Sequence, residues 1–158
     1  MAAVQHAADA LEASSLGVLM RESPWLYPVV NLVHLAGLVL LLGALLFLDL
    51  RLLGAARRLP LVPLYDWLTG FALAGLLIQL LSGLALFAAD ATPLLANPLL
   101  RLKLLLILLG IVNALLFRLC FATHLRGNRL PPPARLQAGL SLGLWISVMC
   151  AGRLLAYF

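Results

Sequence analysis

Long apolar runs alternate with short polar stretches along this chain. Four of the runs reach the length of a transmembrane helix, which needs about 20 apolar residues to cross the hydrocarbon layer of a bilayer. They are rich in Leu and Ala and lack the residue-by-residue alternation of barrel strands, so the pattern predicts helices. The predicted spans are residues 24–50, 66–89, 98–124 and 133–157.

These spans predict an all-α fold, a four-helix antiparallel transmembrane bundle with short connections. Residues 1–22 are less apolar and form a separate N-terminal amphipathic segment, whereas residues 23–158 form the transmembrane domain. We expect the N-terminal segment to be a short interfacial helix along the outer membrane boundary. Contact with a partner protein and fraying are the alternatives. Prolines in the connections after the first and third spans are expected to interrupt the helices there.

The composition places this chain among membrane proteins. Hydrophobic residues make up 64% of the sequence and charged residues 11%, and the mean hydropathy is +1.08. A soluble domain of 158 residues cannot bury so much apolar surface in one core. The lipid bilayer is therefore the predicted environment of the helices.

The positive charges predict an orientation in the membrane rather than a nucleic-acid partner. The net charge is +5, but the basic residues cluster at helix ends instead of along one soluble face. Positive-inside counting puts the first and third connections in the cytoplasm and both termini outside, in a bacterial inner membrane. Four cations share the side of the termini (Arg21, Arg101, Lys103, Arg153), and seven share the other side (Arg51, Arg57, Arg58, Arg118, Arg126, Arg129, Arg135).

Polar side chains in the outer half of the predicted spans fall at similar depths. A helix rises about 1.5 Å per residue, which places His34 about 10 Å below the outer boundary and Lys103 about 7 Å below it. Because a polar group that faces lipid costs several kcal/mol, these side chains are expected to face one another inside the bundle. The outer layer consists of Asn31, His34, Ser82, Lys103 and Arg153.

A buried imidazole beside cations is typical of a b-type haem site or a quinone site. One ring nitrogen of His34 can ligate iron, and Lys103 and Arg153 can pair with haem propionates or a quinone carbonyl. His124 lies near the opposite face, on the order of 20 Å away, so one iron cannot take both histidines. A haem would then be bound through His34 alone, with Met149 or Lys103 as the sixth ligand, or across a subunit interface. The alternative is that His34 only hydrogen-bonds a neighbouring helix.

Two further patterns carry structural predictions. Asp49 ends the first span on its inward stripe, where an ion pair with Arg118 is expected at the cytoplasmic face. Lys103 is also interpretable as a lysine that extends to the headgroups. On the fourth helix, small residues recur every fourth position, a pattern that lets membrane helices approach closely. They are Gly139, Gly143, Ser147 and Ala151.

Several motifs resemble those of known families. "VNLVHLAG" and "GALLFLDLRLLG" in the first span, then "SGLALF" and "ANPLLRLKLLLILLGIVNALLF", are similar to a bacterial family of small four-helix membrane proteins of unknown function. The plan also resembles, more loosely, CopD-type copper-resistance membrane proteins and HemJ-type protoporphyrinogen oxidases. The HemJ-type resemblance implies haem binding and quinone-linked oxidation, with His34 as the iron ligand and Lys103 as a second functional position.

Two function hypotheses follow. The first is a redox or electron-transfer protein with a haem b or quinone site in the outer half of the bundle. The second is a non-catalytic small subunit or scaffold of a larger membrane complex. In that case a membrane-protein partner or a second copy of the chain would contact the small-residue stripe of the fourth helix and the N-terminal helix.

Overall fold

A computed structural model describes residues 2–126 and 130–157 of the chain. It confirms the all-α fold, and four helices are long and apolar enough to cross a membrane. Arg129, one of the predicted cytoplasmic cations, lies outside the described residues. The four long helices are α3 (Leu26–Leu53), α4 (Leu61–Ala89), α6 (Pro98–Phe121) and α7 (Pro132–Leu154), and the three short ones are α1 (Ala2–Glu12), α2 (Ser15–Glu22) and α5 (Ala91–Ala96).

The ends of α3 and α4 follow from local backbone chemistry. Gly54 ends α3 with a φ of 113°, and its N–H bonds the carbonyl oxygens of Leu50 and Arg51. Only glycine adopts this left-handed cap without strain. The start of α4 lies earlier than predicted, at Leu61, so Pro63 falls inside the helix. Its missing N–H costs nothing in the first turn, where no helical carbonyl is available to accept a bond.

The four long helices form an open bundle. α3 packs against α4 on one side and α7 on the other, and α7 packs against α6. The α3–α4 contact is close because Gly75 has no side chain: an added Cβ would lie 2.5 Å from the backbone nitrogen of Leu41. In contrast, no Cα atom of α4 lies within 8 Å of one in α6, and both helices are described over their full length. The space between them is called the α4–α6 cleft below.

The α4–α6 cleft is bounded at both ends. At the arginine-rich end, where α3 joins α4, the rings of Tyr65 and Phe117 stack with centroids 6.2 Å apart. Phe121 continues this aromatic group at 5.7 Å from Phe117. At the opposite end, called the terminal end, the short helix α5 connects α4 to α6. The cleft therefore opens sideways between two helices whose outward leucines are exposed.

The N-terminal segment is two helices rather than one. Ser14 breaks it by capping α2, its hydroxyl accepting the N–H of Gly17 at 3.2 Å. α2 packs against the end of α4, and α1 packs against α5. Arg21 donates to the carbonyl oxygens of Ala89 and Glu12 at 2.9 and 2.8 Å.

The carboxylate of Glu12 completes this attachment by accepting the N–H of Thr92 at 2.6 Å. Asp9 accepts a bond from the Thr92 hydroxyl at 3.0 Å. We call residues 2–22, with their contacts to α4 and α5, the N-terminal clasp. This contact with the chain's own helices was not among the arrangements expected from the sequence.

Helix α7 turns a different face inward than its small-residue stripe predicts. Its buried face is set by Trp145, whose ring lies against Gly110 of α6, where an added Cβ would be 3.0 Å from Cζ2. Gly143 has no atom of another element within 4 Å of its added Cβ, and Ser147 is exposed. The Ser147 hydroxyl donates to Gly143 O at 2.8 Å, which satisfies it within its own helix. The small-residue stripe is thus divided: Gly143 and Ser147 face outward, whereas Ala151 is buried on the same face as Ala138 and Trp145.

Candidate functional site

Two cavities lie along the α4–α6 cleft. The first, nearer the terminal end, has a volume of about 290 Å³ and is lined by His34, Gln79 and Lys103 among apolar side chains. The second, nearer the arginine-rich end, has a volume of about 160 Å³ and contains Asp49. We call them the His34 cavity and the Asp49 cavity. Leu41, Leu76 and Trp145 line both and form the partition between them.

Hydrogen bonds fix the orientation of His34. Its Nδ1 lies 2.9 Å from the hydroxyl oxygen of Ser82 on α4. The Ser82 hydroxyl donates its single proton to the carbonyl oxygen of Ile78, so towards His34 it acts as the acceptor. Nδ1 therefore carries the proton, and Nε2 keeps a lone pair for a ligand. Such a bond to one ring nitrogen commonly sets the chemistry of the other.

Gln79 supports the same region from α4. Its Nε2 donates to the carbonyl oxygen of His34 at 2.6 Å, across the α3–α4 contact. This role was missed at the sequence level, although Gln79 shares a helical face with Ser82 and Gly75. The sequence feature that could have indicated this role is the polar amide of Gln79 on a helical face of small and hydroxyl residues. The bond holds the backbone of α3 at the depth of the imidazole.

Lys103 reaches the His34 cavity from α6. It is half-buried, and its Nζ would lie 3.3 Å from a Cβ added at Gly152 of α7. The absence of a side chain at Gly152 therefore leaves room for the lysine stem along α7. Because Lys103 lines the cavity, its amine donors are available to an acceptor bound there.

Four of the expected site residues lie outside the lining of the His34 cavity, although one of them, Ser82, bonds His34. Asn31 is exposed, and Met149 is 36% exposed. Arg153 is exposed, donates to the hydroxyl of Tyr157 at 2.6 Å and places its guanidinium 4.9 Å from the centre of that ring. Over residues 2–126 and 130–157, no group of three or more His, Cys, Asp or Glu is placed to hold a metal ion. The structure thus brings together His34, Ser82 and Lys103 from the predicted set.

The Asp49 cavity contains two buried polar atoms without partners. Asp49 and Trp145 are 4% and 5% exposed, and neither Oδ2 of Asp49 nor Nε1 of Trp145 has a hydrogen-bond partner within the described residues. Arg118 lines the same cavity but is exposed, and its ion pair with Asp49 stays a prediction. Nearby, Asn113 and Gln137 exchange amide bonds with each other's backbone carbonyls at 3.3 and 2.9 Å.

Comparison with known proteins gives no relationship from which to assign a function. No family model, curated protein or solved structure matches this chain. The resemblance to HemJ-type and CopD-type proteins stays a prediction. What the site does must be argued from the geometry of the His34 cavity.

Proposed function

We propose that this protein is a quinone-binding redox protein of the membrane and that the His34 cavity holds the quinone headgroup. The observation that carries the proposal is the composition of this cavity: one imidazole and one lysine face a largely apolar space beside the α4–α6 cleft. Quinones are amphiphiles that reside in lipid, so a cleft between two transmembrane helices gives the headgroup and its apolar tail a direct entry.

The polar groups of the cavity match the two redox forms of such a ligand. A quinone presents carbonyl oxygens, to which the amine of Lys103 would donate. A quinol presents hydroxyl groups as hydrogen-bond donors. Nε2 of His34 has the lone pair to accept a hydrogen bond from one of these hydroxyl groups, because Nδ1 already donates to Ser82. A bound quinone supplies two-electron, two-proton redox chemistry. The residues of this chain would orient the ring and accept a proton at Nε2.

A b-type haem fits the cavity less well. Its volume of about 290 Å³ is at the lower limit of ligand pockets, which range over roughly 300–1,000 Å³. Met149, the expected sixth ligand, does not line the cavity, and Lys103 is the remaining candidate from the predicted set. A quinone headgroup requires no pair of axial ligands, so the observed set is sufficient for it.

Fluorescence of Trp145 tests the proposal, since this residue lines the His34 cavity. In the Trp25→Phe/Trp67→Phe background, Trp145 is the single tryptophan. Titration with a short-chain ubiquinone in nanodiscs should quench its emission saturably. His34→Ala and Lys103→Met should each weaken binding by roughly tenfold, the loss of one strong hydrogen bond.

Arg153→Gln is the control, because Arg153 lies outside the cavity and should leave the titration unchanged. Quenching that does not saturate, or that is equal in His34→Ala, would contradict quinone binding. An absorption spectrum of the purified protein provides the second readout. A Soret band that is present in the wild type and absent in His34→Ala would show that the bound group is a haem rather than a quinone.

The second candidate function is that of a small subunit in a larger membrane complex. Its specific support is the exposed pair Gly143 and Ser147, which forms a narrow outward surface where a foreign helix would pack closely. Gly143→Leu should then abolish co-purification of a stoichiometric partner without altering quinone titration. If the variant retains every binding partner of the wild type, this candidate is excluded.

A further inference from the structure

A second concave region lies at the arginine-rich end of the bundle. The end of α3, the connection to α4, the 3₁₀ turn Ala122–Arg126 and the start of α7 surround a pocket of about 830 Å³. Among the described residues that line it, none is acidic. Five guanidinium groups line it, those of Arg51, Arg57, Arg58, Arg126 and Arg135.

Two of these arginines are held in place by backbone carbonyls. Arg51 donates through Nε and Nη2 to Leu59 O at 3.1 and 2.9 Å, and through Nη2 to Arg57 O at 3.2 Å. Arg57 donates from Nε to Gly54 O at 3.0 Å. These bonds leave further N–H donors on both groups, since a guanidinium has five. The side chains are therefore oriented by the loop before any ligand arrives.

The other three arginines, Arg58, Arg126 and Arg135, are exposed and come from three different elements. Positive-inside topology explains why cations are abundant at one membrane face, but it does not require them to line one pocket. Five like charges around a shared space repel one another, so the arrangement is stabilised by an anion that all of them can reach. Guanidinium groups match the oxygens of phosphate in particular.

The remaining surface of the pocket is apolar. Leu52, Leu61, Val62, Leu125 and Leu130 contribute to the lining, together with Pro60 of the α3–α4 connection and Pro63 in the first turn of α4. The pocket thus combines arginines with apolar side chains, a combination that matches the charged headgroup and the hydrocarbon chains of a phospholipid. Basic pockets between transmembrane helices are known binding sites of anionic headgroups.

We propose that this arginine pocket binds a phosphate group, presented either by the headgroup of an anionic phospholipid or by a free polyphosphate anion. The inference stands apart from the proposed quinone function, because the pocket shares no lining residue with the His34 cavity.

Thermal unfolding of the purified full chain tests this proposal. Phosphatidylglycerol, added to delipidated protein in detergent, should raise the unfolding temperature, and phosphatidylcholine should not. Inorganic pyrophosphate, added in a separate arm, reports a free-anion source. Stabilisation by phosphatidylglycerol alone identifies the lipid, and stabilisation by pyrophosphate without added lipid identifies the free anion.

The matched variants are Arg58→Gln/Arg135→Gln in the pocket and Arg101→Gln/Arg153→Gln at the terminal end, which remove the same charge. The pocket variant should lose most of the stabilisation, whereas the terminal-end variant should keep it. Equal shifts with phosphatidylglycerol and phosphatidylcholine, combined with no shift from pyrophosphate, would overturn the proposal. Full stabilisation of the pocket variant would overturn it as well. Circular dichroism of both variants before ligand addition verifies that their helices are intact.

Discussion

The two cavities of the α4–α6 cleft differ in how they treat buried polar groups. In the His34 cavity, the imidazole bonds Ser82, and Gln79 bonds the His34 carbonyl. In the Asp49 cavity, Oδ2 of Asp49 and Nε1 of Trp145 are buried and have no hydrogen-bond partner among residues 2–126 and 130–157. An unsatisfied buried polar group costs about 1–3 kcal/mol of stability. The polar groups around His34 are therefore held in fixed positions, whereas the unpartnered atoms of the Asp49 cavity lower the stability of the bundle.

Trp145 links the two cavities, because it belongs to the partition between them. Its ring contacts Gly110 of α6 and lines both spaces. The difference between the cavities is thus maintained across a single side chain. Substitutions can test this difference by removing the partition, by altering each cavity separately, or by altering residues outside both cavities.

Trp145→Ala should have the largest effect, because it removes the partition and merges the cavities. Truncating a buried tryptophan costs about 3–5 kcal/mol of unfolding free energy, which chemical denaturation in mixed micelles would measure. Trp67→Ala is the control, since Trp67 is 71% exposed. Equal losses in the two variants would show that Trp145 is not a packing element of the core.

Asp49→Leu should raise the stability of the protein. Leucine has a similar shape and removes the unpartnered carboxyl oxygen, which would contribute about 1–3 kcal/mol of unfolding free energy. The same denaturation assay measures the change, and quinone titration should be unaffected because Asp49 does not line the His34 cavity. Destabilisation by leucine would instead support the predicted ion pair with Arg118.

Ser82→Ala should weaken quinone binding without abolishing it. The variant removes the acceptor of the Nδ1–H bond, so the imidazole loses its fixed orientation while its Nε2 remains. A neutral hydrogen bond contributes about 1 kcal/mol, equivalent to roughly fivefold in affinity. Trp145 quenching measures the effect, and Ser147→Ala is a matched serine outside the cavity. An unchanged affinity in Ser82→Ala would show that Ser82 does not position the ring.

Met149→Ala and Arg153→Gln should have the smallest effects. Both side chains lie at the depth of the His34 cavity but outside its lining, so the quinone affinity of either variant should stay within about twofold of wild type. If Met149 ligated a haem iron, Met149→Ala would change the haem absorption spectrum relative to wild type, which would contradict this expectation. The two variants therefore test whether a residue predicted at the depth of the cavity affects binding when it does not line the cavity.

Depth in the membrane and the direction of side chains are predicted by different features of a sequence. Apolar length indicates where a helix crosses a bilayer, and rise per residue indicates depth, so the sequence assigned His34, Ser82 and Lys103 to one layer. In the structure, Ser82 bonds His34, and Lys103 lines the same cavity as His34. The rotation of each helix depends on which neighbour it packs against, and that choice is made by side-chain shape. The ring of Trp145 turned α7 so that Gly143 and Ser147 face outward.

Periodicity also could not predict that the backbones of α4 and α6 stay more than 8 Å apart and meet only through side chains such as Tyr65 and Phe117. An apolar helix in lipid has no hydrophobic penalty for leaving a neighbour, because lipid tails are as apolar as leucine. The pattern along α4 is therefore the same whether it faces a helix or the bilayer. Gln79 illustrates the same limit: its polarity indicated an inward face, but its acceptor, a backbone carbonyl of α3, is invisible in a list of side chains.

The N-terminal clasp has a consequence for how the cleft opens. Arg21 and Glu12 attach residues 2–22 to the junction of α4 and α5. Helix α5 connects α4 to α6 at this end of the cleft. The clasp and the terminal end of the cleft therefore share α5, and we expect loss of the Arg21 and Glu12 bonds to alter the separation of α4 and α6 there. Release of the N-terminal clasp would let α4 and α6 move apart, which would ease entry of an apolar ligand into the cleft.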